Sequence, residues 1–375
     1  MTASHTECIG QDRQIQSTMG RKALDPKPIP GYELDEFRGL IEAKSDTLLS
    51  HPCIVRGFNQ QWLADERWGS MDYLSVKFGH LPVTAGAPQF TTHANATMCQ
   101  VMTDFGTYLK YVADPSSVEV LFDGKWSKGD SDVYRALNMP LYCGNMRLAR
   151  HAREEVFNDL QPIVPAGIEY LNDDIPYYYQ SGNHLWLYVS LAGALTPLHQ
   201  DNNAVIAYLA QLRGHKDAIL YSPEDKPHFH NPAVGYFDPL NPNDSEFPTW
   251  RQAQPWMASL SPGDFLIWGP NWAHHVVTRS NSVTVSFDIV NDLNLDAYTA
   301  SMDWRVELGL FAKKNADLIR SRIQAESVLQ ALDQGVEETI GRELMLCVLR
   351  AALANDLTPR SRMVKERMLR TLEAG

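Results

Sequence analysis

Residues 185–221 read LWLYVSLAGALTPLHQDNNAVIAYLAQLRGHKDAILY, and their pattern decides the fold. Leu185–Leu191, Ala204–Leu212 and Asp217–Tyr221 are short runs rich in β-branched and aromatic residues. Clusters of Gly, Pro, Asn and Asp separate them, which is strand-and-turn punctuation. Phe265–Trp268 and Ser282–Val290 continue the pattern. Many short strands spaced by turns predict an antiparallel barrel or sandwich. The segment His228–Pro255 interrupts them and is rich in Pro, Asn and Asp. It is expected to be mostly loop, and a loop that long is functional or marks an insertion.

The flanks read differently. Residues 1–28 are polar, end in Asp25-Pro26-Lys27-Pro28 and are expected to form a loose arm. Phe37, Leu40, Ile41 and Leu48 predict a helix over Leu34–Leu49. Pro52–Gly57 predicts a short strand closed by glycine. Met98, Val101, Met102, Phe105, Leu109 and Val112 predict a helix over Met98–Val112, and a strand is expected at Val118–Phe122. From Asp296 onward the chain turns helical. Leu318, Ile319, Ile323 and Leu329 form one stripe, while Val336, Ile340, Leu344 and Val348 repeat every four residues. Thr358-Pro359 supplies an N-cap and a first-turn proline for a basic helix reaching about Leu372. The expected organisation is an arm (1–28), an α/β part (29–180), a β core (181–295) and a C-terminal helical segment (296–375).

The chain has 375 residues, with 33 Lys+Arg against 45 Asp+Glu and a net charge of −12. That balance disfavours nucleic acid as a partner, because such affinity rests on cations neutralising phosphates. The first residues carry no apolar signal region. Ile175–Gln200 lacks charges but is broken by Pro176, Gln180, Asn183, His184 and Pro197, so no membrane span is expected. Five scattered cysteines fit reduced thiols better than a disulfide framework, and a cytoplasmic protein is the expectation.

The chemistry concentrates at Thr196-Pro197-Leu198-His199-Gln200-Asp201. Strand residues two apart share a face, so His199 and Asp201 can offer a nitrogen and a carboxylate oxygen to one point. His274 follows a further predicted strand, in Gly269-Pro270-Asn271-Trp272-Ala273-His274-His275. Two histidines and one carboxylate on one side of a metal leave the opposite positions open, the ligand set of non-heme Fe(II) oxygenases. A His-x-Asp pair alone is common. The turn Ser261-Pro262-Gly263-Asp264 feeding the apolar run Phe265–Trp268, with the His-His pair after it, supplies the context.

Set out in order, these motifs resemble the Jumonji-C, cupin-like 2-oxoglutarate oxygenases, and most closely the subgroup of the asparaginyl hydroxylase that inhibits hypoxia-inducible factor. The motifs run from Pro52–Gly57, Trp62, Trp68, Tyr73-Leu74 and Phe78-Gly79 through Met102, Phe105 and Tyr108-Leu109 to Thr196–Asp201. They continue with Gln211–Lys216, Phe247-Pro248, Pro262–Asp264 and Trp272–His275. The resemblance implies a double-stranded β-helix, a jelly roll of the Jumonji-C type, mainly β with flanking helices. It implies Fe(II) held by His199, Asp201 and His274, with 2-oxoglutarate as cosubstrate and O2 as oxidant. Lys216, Thr196 and Tyr142 match residues that hold the far carboxylate of 2-oxoglutarate. Ser286 stands where an asparagine often lies near the cosubstrate. Lysine on the face shared with Ala218 and Leu220 needs an anionic partner, which a dicarboxylate supplies. Thr196 is out of phase with His199 by strand parity, so its role rests on the resemblance.

Three departures bear on the substrate. The interval from Asp201 to Lys216 is longer than the family pattern, which leaves Asn202 or Asn203 to replace an asparagine, since Val205 occupies its place. Ala273 replaces a common tryptophan and is expected to open space beside the metal. Asp288 replaces a common aromatic. His275 is expected to face away from His274, and His228 and His230 are read as surface residues. Tyr177-Tyr178-Tyr179 and Trp186 are read as packing, or as the wall of a substrate cleft. The implied reaction is hydroxylation of a C–H bond in a protein or peptide side chain or a small metabolite, releasing succinate and CO2. Two alternatives stand beside it: N-methyl lysine demethylation, and a metal-binding cupin without 2-oxoglutarate activity. The C-terminal helices of the resembled subgroup imply a homodimer.

Overall fold

The computed structural model describes residues 25–43, 50–86, 100–118, 121, 140–163, 170, 185–201, 203–301, 337–354 and 357–374. Its strands are β1 (Lys27–Pro28), β2 (Gly31–Glu33), β3 (Cys53–Arg56), β4 (Pro82–Gly86), β5 (Gln100–Asp104) and β6 (Cys143–Met146). The central series is β7 (Leu185–Ser190), β8 (Leu195–Gln200), β9 (Ile206–Arg213), β10 (Lys216–Tyr221), β11 (His230–Asn231) and β12 (Gly235–Tyr236). It ends with β13 (Trp256–Leu260), β14 (Asp264–Trp268), β15 (Ala273–Thr278) and β16 (Ser282–Ile289).

Two sheets carry the fold, in the orders β1-β13-β10-β15-β8 and β2-β3-β14-β9-β16-β7-β6. Along the chain, β7, β9, β14 and β16 lie in the second sheet, and β8, β10, β13 and β15 in the first. That interleaving is a jelly roll, and it accounts for the burial pattern. Strands covered on both faces read as continuous apolar runs rather than as alternation, and β10, β14 and β15 are buried throughout. Ala207, Leu209, Ala218, Leu220, Leu266, Trp268 and Val276 pack between the sheets.

The turn from β9 to β10 needs its glycine. Gly214 has φ +73°, and a Cβ there would stand 2.3 Å from the Asn281 carbonyl oxygen. Gln211 holds the same turn from its side chain, donating to the carbonyls of Arg213 and Gly214 at 2.6 and 3.1 Å.

The long polar segment between β10 and β13 covers the outer face of the first sheet. Phe229, Phe237, Phe247 and Trp250 project from it into a cluster with Leu198, Ile219, Tyr221, Met257 and Ala273. It forms a short helix at Lys226–Phe229 and the β11–β12 pair, but it is mostly irregular, as the composition predicts.

Three expectations for the N-terminal part need correction. Gln100–Asp104 is strand β5, paired with β4, and the helix starts only at Phe105. Asp104 caps that helix by accepting from the Thr107 amide at 2.8 Å. Apolar residues at 98, 101, 102 and 105 satisfy either period over so short a run. Val118, expected in a strand, has helical φ −51° and ψ −32°, and most of the residues after it lie outside those described. The Leu34 helix ends at Glu42, with Ala43 as its C-cap, and Leu48 lies outside the described residues.

Ile168–Ser181, Asn202–Ile206 and Ile289–Gly375 form a separate compact unit. Its described helices are Leu295–Ser301, Glu337–Leu353 and Pro359–Ala374. The last begins as the sequence predicts, with Thr358 Oγ1 accepting from the Ser361 amide at 3.2 Å. Arg367 reaches Asp292 and Asp296 at 2.9 Å each. The stripe at Leu318, Ile319, Ile323 and Leu329 lies outside the described residues, as does Val336. Among the described residues no helix is long and apolar enough to cross a membrane.

Candidate metal centre

His199 is the next-to-last residue of β8, Asp201 follows the end of that strand, and His274 lies on the neighbouring strand β15, paired in register with His199. Their ligand atoms all lie within 4.8 Å of one another. Nε2 of His199 is 3.7 Å from Asp201 Oδ1, and Nε2 of His274 is 4.0 Å from Asp201 Oδ2. Both gaps exceed a hydrogen bond. They match the spacing of donors that share one ion at about 2.1 Å each, which is roughly 3–4 Å.

The rings are prepared for ligation. The Pro197 carbonyl lies 2.9 Å from His199 Nδ1. A proton held there leaves the Nε2 lone pair free, a common arrangement for metal-binding imidazoles. His274 lies 4.6 Å from the Trp268 ring, between centroids, and is almost fully buried. Burial pushes its pKa down to about 4, and His199 adds to the shift, so the ring is neutral near pH 7. The donor set and its spacing fit a divalent cation.

Lys216 opens β10 on the inner face and is 2% exposed. Among the described residues no carboxylate pairs with it, and burial pushes its pKa down to about 7. Its Nζ lies 5.8 Å from the Tyr142 ring centroid and 5.7 Å from that of Tyr188. These two rings stack on each other at 5.9 Å. Thr196 hydrogen bonds to Tyr142. A buried amine over two tyrosine rings, one of them hydrogen bonded to Thr196, suits a carboxylate.

The phase problem at Thr196 resolves in β8. His274 pairs with His199 and Val276 with Thr196, so three steps on β8 match two on β15. This is a β-bulge, and it turns Thr196 to the same side as His199. Pro197, which has no N–H for the ladder, sits inside it. Ser286 is buried in the barrel wall, and its hydroxyl donates to the Tyr208 carbonyl at 2.9 Å. Among the described residues no contact joins it to Lys216, Thr196 or Tyr142.

Other expectations fare variously. Ala273 does not open space beside the metal ligands. It faces the outer cluster with Leu198 and Tyr221, on the strand face opposite His274. His275 also faces away from His274, as predicted. It is buried, neither ring nitrogen finds a partner among the described residues, and burial lowers its pKa to about 3. His228 is half-buried and bonds Thr249 Oγ1 at 3.0 Å. Asn203 adopts φ +67° in a turn with Ala204, while Asn202 and Tyr177–Tyr179 lie outside the described residues.

Sequence reasoning passed over Tyr188 and Arg147. The signal for Tyr188 was present, because Trp186, Tyr188 and Ser190 alternate with Leu185, Leu187 and Val189 along β7. Tyr188 has its hydroxyl pKa raised by burial and by the neighbouring Tyr142, Asp201 and Asp288, and Arg147 opposes the shift. Arg147 follows β6 and lies over the Trp186 ring at 5.7 Å. Gln200, between two of the ligands, accepts from the Tyr236 hydroxyl at 3.2 Å and donates to the Asn271 carbonyl. It thus ties the long segment and the loop before β15 to the site.

Comparison with known proteins adds a family match. The model of the cupin-like domain matches residues 42–289, more than half of the chain. HSPB1-associated protein 1 of Bos taurus is 25% identical over 247 residues, 62% of this chain and 45% of the relative. The chain thus spans under half the length of that relative. The bifunctional peptidase and (3S)-lysyl hydroxylase JMJD7 of Homo sapiens is 23% identical over 266 residues, 64% of this chain and 77% of the relative. Lysine-specific demethylase 8 of Xenopus tropicalis is 34% identical over 104 residues, 26% of this chain and 23% of the relative.

Proposed function

The chain belongs to the cupin-like domain family, and on that premise we propose that it is an Fe(II)- and 2-oxoglutarate-dependent oxygenase that hydroxylates a C–H bond. The observation that carries the reading is the convergence of His199, Asp201 and His274 within 4.8 Å, with the buried Lys216 on the same inner face. When bound, Fe(II), 2-oxoglutarate and O2 supply the oxidising chemistry, releasing succinate and CO2 as the C–H bond gains a hydroxyl. The cosubstrate and metal carry that chemistry, and the protein places them.

This chain's residues have defined tasks in the reading. His199, Asp201 and His274 hold the metal from one side and leave the other open. The Pro197 carbonyl keeps His199 oriented with Nε2 toward Asp201. Lys216 pairs with the far carboxylate of 2-oxoglutarate, and Thr196 and Tyr142 donate to it. The apolar wall of Leu209, Ala218, Leu220, Leu266 and Val276 keeps water from that end of the barrel.

The test is succinate formation from 2-oxoglutarate in air, with Fe(II) added. Wild type forms succinate slowly alone and faster with its substrate, and His199→Ala forms none above the metal blank. Succinate formation that survives His199→Ala at the wild-type rate would sink the assignment.

A further inference from the structure

The oxygenase reading gives no task to the bond that reaches Gln200 from outside the barrel. Gln200 stands between the ligand candidates His199 and Asp201. By strand parity its side chain leaves β8 on the face opposite His199, the face on which Leu198 packs into the outer cluster. There its amide oxygen accepts from the Tyr236 hydroxyl at 3.2 Å, and its amide nitrogen donates to the Asn271 carbonyl. One planar group is thus gripped at both ends, by β12 of the covering segment and by the loop before β15.

The grip falls at a sensitive place. Backbone pairing between β8 and β15 stops at Gln200 and Ala273, and His199 with His274 is the pair just inside that end. The ends of an element open more readily than its middle. The Gln200 side chain adds a bond beyond the last pair, onto Asn271, which turns the loop with φ +62°. Tyr236 is itself held. Its ring stacks on Phe229 at 6.2 Å and meets the His230 ring edge-on at 4.7 Å. The covering segment has its anchors without the Tyr236 hydroxyl, because Phe229, Phe237, Phe247 and Trp250 are buried under it. The side chains of His228 and Asn231 bond within the segment, to Thr249 and to the Glu246 carbonyl. The Tyr236 bond instead leaves the segment and ends between two ligands.

We propose that Gln200 is a positioning residue for the metal centre and that Tyr236 acts through it, so that the seating of the covering segment sets the affinity for metal. The inference rests on the reading above only in that His199, Asp201 and His274 hold a divalent cation. The Tyr236 hydroxyl takes the oxygen end of the Gln200 amide and leaves the nitrogen end turned to Asn271. That second bond holds the start of β15 against the end of β8. It keeps His274 at the spacing from His199 and Asp201 that one ion requires. Groups outside the ligand shell that orient ligands commonly change metal affinity about 10–100-fold.

The experiment is isothermal titration of Co(II) into the metal-free protein, with the urea midpoint of each variant measured beside it. Gln200→Ala should weaken Co(II) by about tenfold or more, and Tyr236→Phe, which keeps the ring, by about three- to tenfold. Added to Gln200→Ala, Tyr236→Phe should cost no more than about twofold further, because the two act through one group. His228→Ala removes a bond of the same segment away from Gln200 and should leave Co(II) affinity within about twofold, whatever it does to the midpoint. A merely structural role would make affinity follow the midpoint in all the variants, and that result overturns the proposal. So would additive losses in the double variant, or wild-type affinity in Gln200→Ala. Wild type that takes up no Co(II) removes this inference and the metal centre together. If the charge-transfer band of bound 2-oxoglutarate forms and the variants bind metal as wild type does, only this inference falls. If Co(II) affinity depends on Gln200 and Tyr236 as expected and 2-oxoglutarate never binds, only the oxygenase reading falls.

Discussion

In the proposed oxygenase, Lys216 would make cosubstrate binding depend on pH with a definite sign. Burial pushes its pKa down to about 7, so above that pH the free protein holds it mostly neutral. A dicarboxylate prefers the ammonium and must draw a proton in with it. Affinity for 2-oxoglutarate should therefore be greatest below about pH 7 and fall by about tenfold per pH unit above it, one proton being taken up. In the ligand-free protein the sign for stability is the opposite of the usual lysine pair. The unfolded chain takes up a proton near the ordinary lysine value and the folded chain only near 7. Stability is thus lost as pH falls between those values. Lys216→Ala should weaken 2-oxoglutarate by roughly 10–100-fold, the worth of one charge-assisted bond at about 1.5–3 kcal/mol, and should flatten the pH profile. Calorimetric titration at pH 6.5, 7.5 and 8.5 reads both, and a profile unchanged in Lys216→Ala would contradict the assignment. His199 and Asp201 were legible as a pair because residue type and strand parity point to one face, whereas the expected role of Lys216 came from the family resemblance. Thr196 was not legible by parity. The bulge that brings it round depends on how β8 pairs with β15, and pairing is a property of two strands.

At the scale of elements, turns are the sharpest test of the strand register. Gly214 lies in the left-handed region, against the Asn281 carbonyl, and joins β9 to the strand that carries Lys216. Gly214→Ala should cost roughly 1–3 kcal/mol or more in stability, read from the urea midpoint. Gly39 lies within the helix Leu34–Glu42 with nothing within 4 Å of an added Cβ, so Gly39→Ala should leave the midpoint unchanged or raise it. Equal effects at the two sites would contradict the turn geometry. The β7, β9, β10, β14 and β16 strands were readable because buried strands write themselves as apolar runs. The error at Gln100–Asp104 came from a window in which helical and strand periods fit equally. Pairing with β4, a tertiary fact, decided between them.

For the whole molecule, the long polar segment shows what composition conceals. Its Pro, Asn and Asp residues predicted loop correctly, but Phe229, Phe237, Phe247 and Trp250 fold back as the outer layer of the first sheet. Widely spaced aromatic residues have no period, so nothing in the chain order marks them as core. The same layer explains Ala273, whose small side chain fits under that cover rather than beside the metal ligands. The family match over residues 42–289 agrees with the fold read from the strand pattern. The central claim is that one inner face holds both a metal and 2-oxoglutarate. Anaerobic titration of 2-oxoglutarate into the Fe(II)-loaded protein, followed by visible absorption, tests it most directly. The account predicts a metal-to-ligand charge-transfer band in wild type, absent in His199→Ala and shifted to higher cosubstrate concentration in Lys216→Ala. A folded, iron-loaded wild type that shows no band at saturating 2-oxoglutarate would contradict it.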